Sequence, residues 1–182
     1  MLIKSQILTT LIMLANIFSF GQSWYKENLV NYATIEFPNK PQLNETAKGL
    51  TQIGYQKNDN YFLVDIEDLS NYGNLEVKIT ELDNLYKGIL IGFFENKEYN
   101  LLSQTKFIVQ NLTGIEVEYS SNSKNLPKTR FKRLLFFNGK IFSIEFWTTD
   151  LNKEKSKKDK ERYFNSLKVT LDKSELKQYT SN

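Results

Sequence analysis

Large apolar side chains occupy both faces of one predicted β-hairpin. Residues 133–147 read RLLFFNGKIFSIEFW, and two apolar runs flank the Asn138-Gly139 pair. Asn-Gly is the strongest short signal for a type I′ turn, whose two central residues need positive φ. Such a turn fixes the register, so Phe137 lies opposite Lys140. One face of the hairpin then carries Phe131, Leu135, Phe137, Phe142, Ile144 and Phe146.

The other face of this hairpin is apolar only near the turn. It carries Leu134, Phe136 and Ile141, followed by two cross-strand pairs, Lys132 with Glu145 and Arg130 with Trp147. A sheet with one solvent-exposed face shows regular alternation of apolar and polar residues, which this hairpin lacks. Both faces therefore need a cover, and on the second face we expect the cover to end before Arg130 and Trp147.

Further strands are predicted on both sides of a central helix. Residues 32–37 form a predicted strand that ends at the turn 38–41, because its two prolines cannot donate to a ladder. Residues 50–56 and 61–66 flank a polar turn and predict a hairpin. Residues 106–109 and 115–119 precede the apolar hairpin. We expect these two strands and the hairpin to form a four-stranded meander.

Two stretches change to the period of a helix. Residues 75–97 predict a helix with a wide apolar stripe formed by Leu82, Leu85, Tyr86, Ile89, Leu90, Phe93 and Phe94. Gly88 and Gly92 lie four residues apart on it, and we expect them to let the backbone approach the sheet closely. Residues 152–168 mix basic and acidic side chains before Tyr163, Phe164 and Leu167. That pattern predicts a second helix anchored by its last turn.

One helix on each face of the sheet would cover both apolar surfaces of the hairpin. The predicted fold is therefore an α+β domain, a three-layer α/β/α sandwich with a central antiparallel sheet. If both helices covered the same face, the fold would instead be a two-layer cystatin-like or nuclear-transport-factor-like domain. No internal repeat or linker interrupts the pattern, so residues 22–182 are expected to form a single domain.

The order of these elements resembles the PsbP-like fold group. Three segments carry the resemblance: the Phe-Pro turn at residues 37–41, the glycine-bearing hairpin at 136–144, and the run YFNSLK at 163–168. The group includes photosystem extrinsic proteins, Ran-binding Mog proteins and small secreted bacterial domains. The resemblance covers most of residues 25–171. It implies an accessory or binding protein and brings no catalytic motif.

The first 21 residues predict a secretory signal peptide. Lys4 precedes an apolar run at residues 7–20, and Ser19 and Gly21 place small residues ahead of a cleavage site before Gln22. The alternative is an uncleaved membrane anchor, but the run is shorter than the roughly 20 residues of a spanning helix. We therefore expect cleavage and no transmembrane span after it. The ending Phe-Gly-Gln resembles secretion signals common in Bacteroidetes. The predicted location is periplasmic or extracellular.

The absence of Cys and His from the sequence excludes several classes of chemistry. Thiol nucleophiles, Ser-His-Asp triads and Cys/His zinc sites all need these residues, and we predict no cofactor and no metal. A net charge of +3 is too small for the positive field of a nucleic-acid-binding protein. Paired carboxylates for glycoside hydrolysis, or a calcium site, stay open as alternatives, because Asp65, Glu67 and Asp68 lie near a predicted strand end, with Asp59 upstream. The same acids also fit a solvated strand end.

The polar end of the apolar hairpin is the candidate ligand-binding site. Arg130, Lys132, Glu145 and Trp147 could line a groove where the covering helix ends. An aromatic floor and nearby charges would suit sugars or carboxylates. The alternative is that the same residues form cross-strand pairs that stabilise the sheet. No catalytic residue is assigned.

Three functions stay open. The first is a non-enzymatic accessory or binding protein, a monomer with an envelope or extracellular protein partner and no nucleic acid. The second is a hydrolase that uses two carboxylates. The third is peripheral binding to the envelope through the basic run at residues 153–162 of the C-terminal helix. That run also fits a solvated helix face, with Glu154 and Lys158 as an i,i+4 pair.

Overall fold

The computed structural model describes residues 23–47, 50–72 and 77–171, and within them the chain forms ten strands and two α-helices. The strands are β1 Tyr25–Val30, β2 Ala33–Phe37, β3 Gln42–Ala47, β4 Leu50–Lys57, β5 Asn60–Asp68, β6 Tyr99–Val109, β7 Leu112–Ser121, β8 Thr129–Phe137, β9 Lys140–Thr148 and β10 Lys168–Val169. The helices are α1 Leu82–Phe94 and α2 Glu154–Asn165, with 3₁₀ turns at Leu69–Tyr72 and Ile79–Glu81. The predicted signal peptide, residues 1–21, lies outside the described residues.

Seven strands form one antiparallel sheet in the order β3-β4-β5-β9-β8-β7-β6. The predicted meander β6 to β9 and the hairpin β4–β5 are both confirmed, and β5 joins them by pairing with β9. The apolar hairpin β8–β9 therefore lies inside the sheet, with a neighbouring strand on each side. A second, three-stranded sheet has the order β1-β2-β10.

The hairpin β8–β9 has the predicted register. Asn138 and Gly139 have φ angles of 50° and 72°, as a type I′ turn requires. Phe137 pairs with Lys140, and the pairs farther out include Lys132 with Glu145 and Arg130 with Trp147. A two-residue turn is enough to place every side chain of both strands, because side chains alternate strictly between the faces.

Each face of the hairpin lies in a separate hydrophobic core. The first core contains the six residues of the apolar face together with Tyr163 and Phe164 of α2 and residues of the small sheet. The second core contains Leu134, Phe136 and Ile141 of the hairpin and Leu82, Tyr86 and Leu90 of α1. The two helices cover opposite faces, so the three-layer α/β/α sandwich is confirmed and the two-layer alternative is wrong.

One tyrosine on each helix fixes that helix to the sheet. The Tyr86 hydroxyl of α1 donates to the carbonyl of Thr113 at 3.0 Å and accepts the backbone N–H of Phe136 at 2.9 Å. On the opposite face, the Tyr163 hydroxyl of α2 donates to the carbonyl of Leu63 at 2.9 Å. Each ring fills a core while its hydroxyl satisfies buried backbone groups, so the helices have a defined position on the sheet.

The structure differs from the prediction at the start of α1, at the end of α2 and at three edge strands. α2 ends at Asn165 rather than at residue 168, and Lys168–Val169 form the unpredicted edge strand β10. α1 begins at Leu82, because the β-branched residues Val77, Ile79 and Thr80 before it disfavour a helix. Residues 75 and 76 lie outside the described part of the chain. The sequence analysis does not predict β1 or β3, which lie at sheet edges and carry little apolar alternation.

The expectation for the two glycines of the first helix is wrong. A Cβ added at Gly88 or Gly92 would meet nothing within 4 Å, so both face open space rather than the sheet. The close approach of backbones lies instead at Gly114 of β7. There a Cβ would lie 2.5 Å from the carbonyl oxygen of Leu134 and would clash with the Phe107 ring.

Candidate functional site

The four residues predicted to bind a ligand come together on the α1 face of the sheet. β8 supplies Arg130 and Lys132, and β9 supplies Glu145 and Trp147. The ammonium of Lys132 lies 2.8 Å from Oε1 of Glu145. The guanidinium carbon of Arg130 lies 4.1 Å from the centre of the Trp147 ring. These are the two cross-strand pairs that the register predicts.

The cover over these residues does not end where the sequence suggests. Arg130 is 2% exposed and Lys132 is 8% exposed. Rings at and beyond the end of α1 close the surface: Phe93 lies 4.0 Å from Nζ of Lys132, and Tyr99 lies 5.5 Å from the guanidinium of Arg130. The expected opening before Arg130 is therefore wrong. Trp147 alone of the four residues stays half-buried.

Glu145 is the centre of a buried hydrogen-bond network. Its Oε2 accepts hydrogen bonds from the Tyr119 hydroxyl and from Nε1 of Trp147, both at 2.7 Å. Burial by itself would raise the pKa of Glu145, but the Lys132 ammonium and the hydrogen bonds hold it below the usual value. Burial, with Glu145 beside it, raises the pKa of Tyr119 well above its usual value. Glu145 is therefore ionised, and both of its oxygens are engaged.

Arg130 has no carboxylate partner among the described residues. Its Nε donates to the carbonyl of Pro127 at 3.0 Å, and one terminal nitrogen, Nη2, is buried without a hydrogen-bond partner. The rings of Trp147 and Tyr99 offset part of its charge through cation–π contacts. Together the four residues form a closed network within the sheet. Their role in binding a ligand stays a prediction.

Asp65 of β5 is a second carboxylate close enough to this network to be affected by the charges of Glu145 and Lys132. Burial raises the pKa of Asp65, the charge of Glu145 adds to the effect, and Nε2 of Gln52 opposes it by donating to Oδ1 at 2.8 Å. Glu67 and Asp68 have partners of their own, Tyr72 and Lys140. A carboxylate hydrolase needs two acids free to face the same bond. Asp65 and Glu145 do not provide such a pair, because Glu145 is fully engaged.

Acidic residues of other elements offset the basic run on α2. The ion pairs join Arg162 to Glu36 at 3.0 Å, Lys153 to Asp59 at 3.7 Å and Lys160 to Glu116 at 3.9 Å. Lys158 pairs with Glu154 inside the helix at 3.4 Å. Most of the positive charge therefore lies beside carboxylates of the same protein. These ion pairs reduce the positive field that the run presents at the protein surface.

An apolar groove of about 480 Å³ lies between α1 and β6 on the same face of the sheet. Its lining includes Leu90, Ile91, Phe94, Leu101 and Ile115. Ile91 is 55% exposed and Leu101 is 47% exposed, whereas Leu90 and Ile115 belong to the buried second core. The groove therefore has a closed floor and open walls. The sequence analysis does not predict it.

Charged residues lie along the rim of this groove. Asp83 of α1 and Lys106 of β6 form an ion pair at 2.8 Å across it. Lys87 lies one turn farther along α1 and is exposed, with no ion pair among the described residues. Because Asp83 already neutralises Lys106, the rim carries an excess positive charge at Lys87.

β6 is the last strand of the large sheet. Its inner edge pairs with β7, and no strand within the described ranges pairs with its outer edge. Most of its side chains are exposed, Leu102 and Ile108 among them. The sequence predicts only residues 106–109 of this strand, because Leu101 and Leu102 break the alternation at a bulge. The available signal was a stretch of 11 residues with no proline, no glycine and a single charged residue.

Comparison with known proteins identifies the fold. No family model and no curated protein matches the sequence. Among solved structures, the chain is similar to the solution structure of cyanobacterial PsbP (CyanoP) from Synechocystis sp. PCC 6803. The TM-score is 0.55 at 12% identity, over 81% of this chain and 93% of that chain. The chain has the PsbP-like fold.

The resemblance to the PsbP-like group is thereby confirmed at the level of the fold. The crystal structure of the Saccharomyces cerevisiae Ran-binding protein Mog1p also matches, with a TM-score of 0.46 and 10% identity, over 82% of this chain and 96% of that chain. Within the described ranges, no helix has the length and apolar character to cross a membrane. The same residues contain no cluster of acidic side chains arranged to hold a metal ion.

Proposed function

We propose that the protein is a non-enzymatic binding protein of the periplasm or the extracellular space, and that it binds a partner protein in the α1–β6 groove. The observation that carries this proposal is the groove itself. Ile91 and Leu101 expose apolar surface above a buried floor, beside a polar rim. Concave apolar surface with a polar rim is typical of interaction sites.

The free edge of β6 favours a protein as the partner. The groove borders a strand whose outer backbone groups have no partner strand in the described part of the chain. A small apolar ligand would fill the groove and leave that edge unpaired. A polypeptide can use both features, because its backbone bonds to the edge while its side chains occupy the groove.

Two features of the sequence support an extracytoplasmic binding role. Residues 1–21 have the charged start, apolar run and small residues of a secretory signal. The chain contains no Cys and no His, which removes the side chains most often used as nucleophile or general base. The buried carboxylate of Glu145 is engaged by Lys132, Tyr119 and Trp147, so it supports the fold rather than a reaction.

Capture experiments with matched variants test this proposal. Wild-type protein and Ile91→Glu would be immobilised and exposed to a solubilised envelope fraction and to culture medium of the source organism. Bound proteins would be quantified by mass spectrometry. We expect at least one protein to bind the wild type and to be depleted on Ile91→Glu, because binding would bury the new carboxylate in an apolar site.

Leu43→Glu is the matched control. Leu43 is 60% exposed on β3, at the opposite edge of the large sheet. This variant introduces the same charge and should retain the captured protein. Circular dichroism would verify that both variants are folded. Equal capture by wild type and Ile91→Glu, or equal loss in both variants, would contradict the proposal.

A further inference from the structure

The outer edge of β6 has a regular stretch that can accept another strand. Residues 103–109 pair with β7 in continuous register, and the bulge at Leu102 precedes them. In an antiparallel ladder, alternate residues direct their N–H and C=O groups to opposite sides. Residues 103–109 therefore present a row of outward backbone groups, and the bulge marks where that row begins.

This edge lacks the usual protection against strand pairing. Natural edge strands are shielded by charges, prolines, bulges or a covering element. β6 contains no proline and a single charged residue, Lys106, which Asp83 holds at 2.8 Å. Among the described residues, the main remaining protective feature is the bulge at Leu102, and it leaves residues 103–109 accessible. An edge of this kind can accept a strand from a partner.

Side chains of an added strand would enter the α1–β6 groove. Gln104 and Lys106 of β6 pair with Val117 and Ile115 of the second core, so they lie on the α1 face. A strand beside β6 would direct every second side chain to that face. Apolar residues at those positions would cover Ile91, which lines the groove and is exposed.

The positive charge of Lys87 favours a partner segment with an acidic side chain and disfavours a second copy of this chain. β6 contains Lys106 and no acidic residue. If the β6 strands of two copies paired, each copy would bring an unpaired Lys87 to the shared edge and, among the described residues, no free carboxylate, because each Asp83 already pairs with Lys106. A partner segment with a carboxylate would instead pair with Lys87.

We propose that the partner, whose existence rests on the function proposed above, contributes an extended segment that pairs with residues 103–109 as an additional strand. Its apolar side chains alternate into the groove, and one acidic side chain faces Lys87. The segment belongs to a different protein. No conformational change of the sheet is required, because the accepting edge is already formed.

A synthetic peptide tests this mode of binding on the full chain. The probe is a fluorescent peptide that alternates Val and Thr and carries one central Glu. We expect saturable binding and slower amide hydrogen exchange at residues 103–109. A version with N-methyl groups on alternate amides should bind at least about tenfold more weakly, because it cannot form the backbone ladder.

Variants of the protein test the side-chain part of the proposal. Lys87→Glu should weaken the Glu peptide roughly two- to fivefold and reverse the preference in favour of a Lys-containing version. Ile91→Glu should weaken both versions. Lys124→Glu reverses an exposed charge on the β7–β8 loop and should change neither affinity.

Four results would overturn strand addition. They are no binding of the Glu peptide, equal binding of its N-methylated form, no response to Lys87→Glu, and a dimer of the free protein whose β6 amides are already protected. The last result would make a second copy the occupant. Any of these, combined with capture that still depends on Ile91, would leave the proposed function standing. Capture that is independent of Ile91 would overturn the proposed function itself.

Discussion

Lys132 and Glu145 bury two opposite charges 2.8 Å apart beneath the Phe93 ring. Such a pair adds little net stability, because the loss of hydration offsets the attraction between the charges. Removal of one partner is costly, since the remaining charge stays buried without compensation. Tyr119 and Trp147 add hydrogen bonds that keep Glu145 ionised. At the scale of single residues, this network is where substitution should have the largest effect.

Glu145→Gln should lower the free energy of unfolding by about 3 kcal/mol, because Lys132 loses its counter-charge. The pKa of Glu145 is lowered in the folded state from an ordinary value of 4.5. The contribution of the ionised Glu145 to the free energy of unfolding is therefore complete above the ordinary pKa of 4.5, and it is lost as the pH falls through the lower pKa of the folded state. The variant should lose stability less steeply than the wild type below about pH 4.5. Urea denaturation at several pH values measures both effects.

The control for this prediction is Glu154→Gln. Glu154 and Lys158 form an exposed pair on α2, so their separation should cost no more than about 0.5 kcal/mol. If the free energies of unfolding of the wild type and of Glu145→Gln changed with pH in parallel, the prediction that Glu145 has a lowered pKa in the folded state would be wrong.

At the scale of elements, the glycines show how α1 and β7 pack differently. Gly88 on α1 faces open space, so its lack of a side chain serves no contact in the second core. Gly114 on β7 lies against the backbone of β8, where the carbonyl oxygen of Leu134 would be 2.5 Å from any added Cβ. The close contact that requires a glycine therefore lies within the large sheet, at Gly114, and not between α1 and the sheet.

Substitution of each glycine by alanine should have opposite effects. Gly88→Ala should stabilise the protein by up to about 1 kcal/mol, through the higher helix propensity of alanine. Gly114→Ala should destabilise it by about 1–3 kcal/mol, because the strands β7 and β8 must separate to admit the methyl group. Thermal and chemical denaturation of both variants would measure these changes. A Gly114→Ala protein as stable as the wild type would contradict the close approach.

At the scale of the whole molecule, basic side chains of the run at 153–162 form ion pairs with carboxylates elsewhere in the same protein. Glu36, Glu116 and Asp59 come from three different elements and pair with basic residues of the run at 153–162. These pairs form between segments distant in sequence, so a count along the chain overstates the positive field. The apolar groove lies on the other face of the sheet, beside α1, and the free edge of β6 borders it.

Anionic vesicles provide a direct test of this charge distribution. We expect little co-sedimentation of the protein with vesicles rich in phosphatidylglycerol at physiological salt, because the paired cations release little energy at a lipid surface. Lys155→Ala combined with Lys157→Ala should leave that result unchanged. Strong binding that disappears with added salt and with these substitutions would instead favour the envelope-binding alternative.

The sequence by itself determined the central hairpin and the two helices, and it favoured one helix on each face of the sheet. Asn138-Gly139 selects one turn type, and strict alternation then assigns each side chain to a face. An apolar surface on both faces requires two covers, and the chain contains two helices. These inferences hold because turn geometry and periodicity depend on residues close together in the sequence. The pairs Lys132 with Glu145 and Arg130 with Trp147 follow from the same register.

Tertiary structure alone decided which parts of that surface are open. Phe93 and Tyr99 close the cover above Lys132 and Arg130, and Tyr119 completes the network of Glu145, although all three are distant in sequence. The groove and the free edge exist because β6 lies at the end of the strand order, beside α1. Strand order and the reach of a covering side chain depend on packing between distant segments. Local pattern does not encode them, so the candidate binding surface emerged only from the folded molecule.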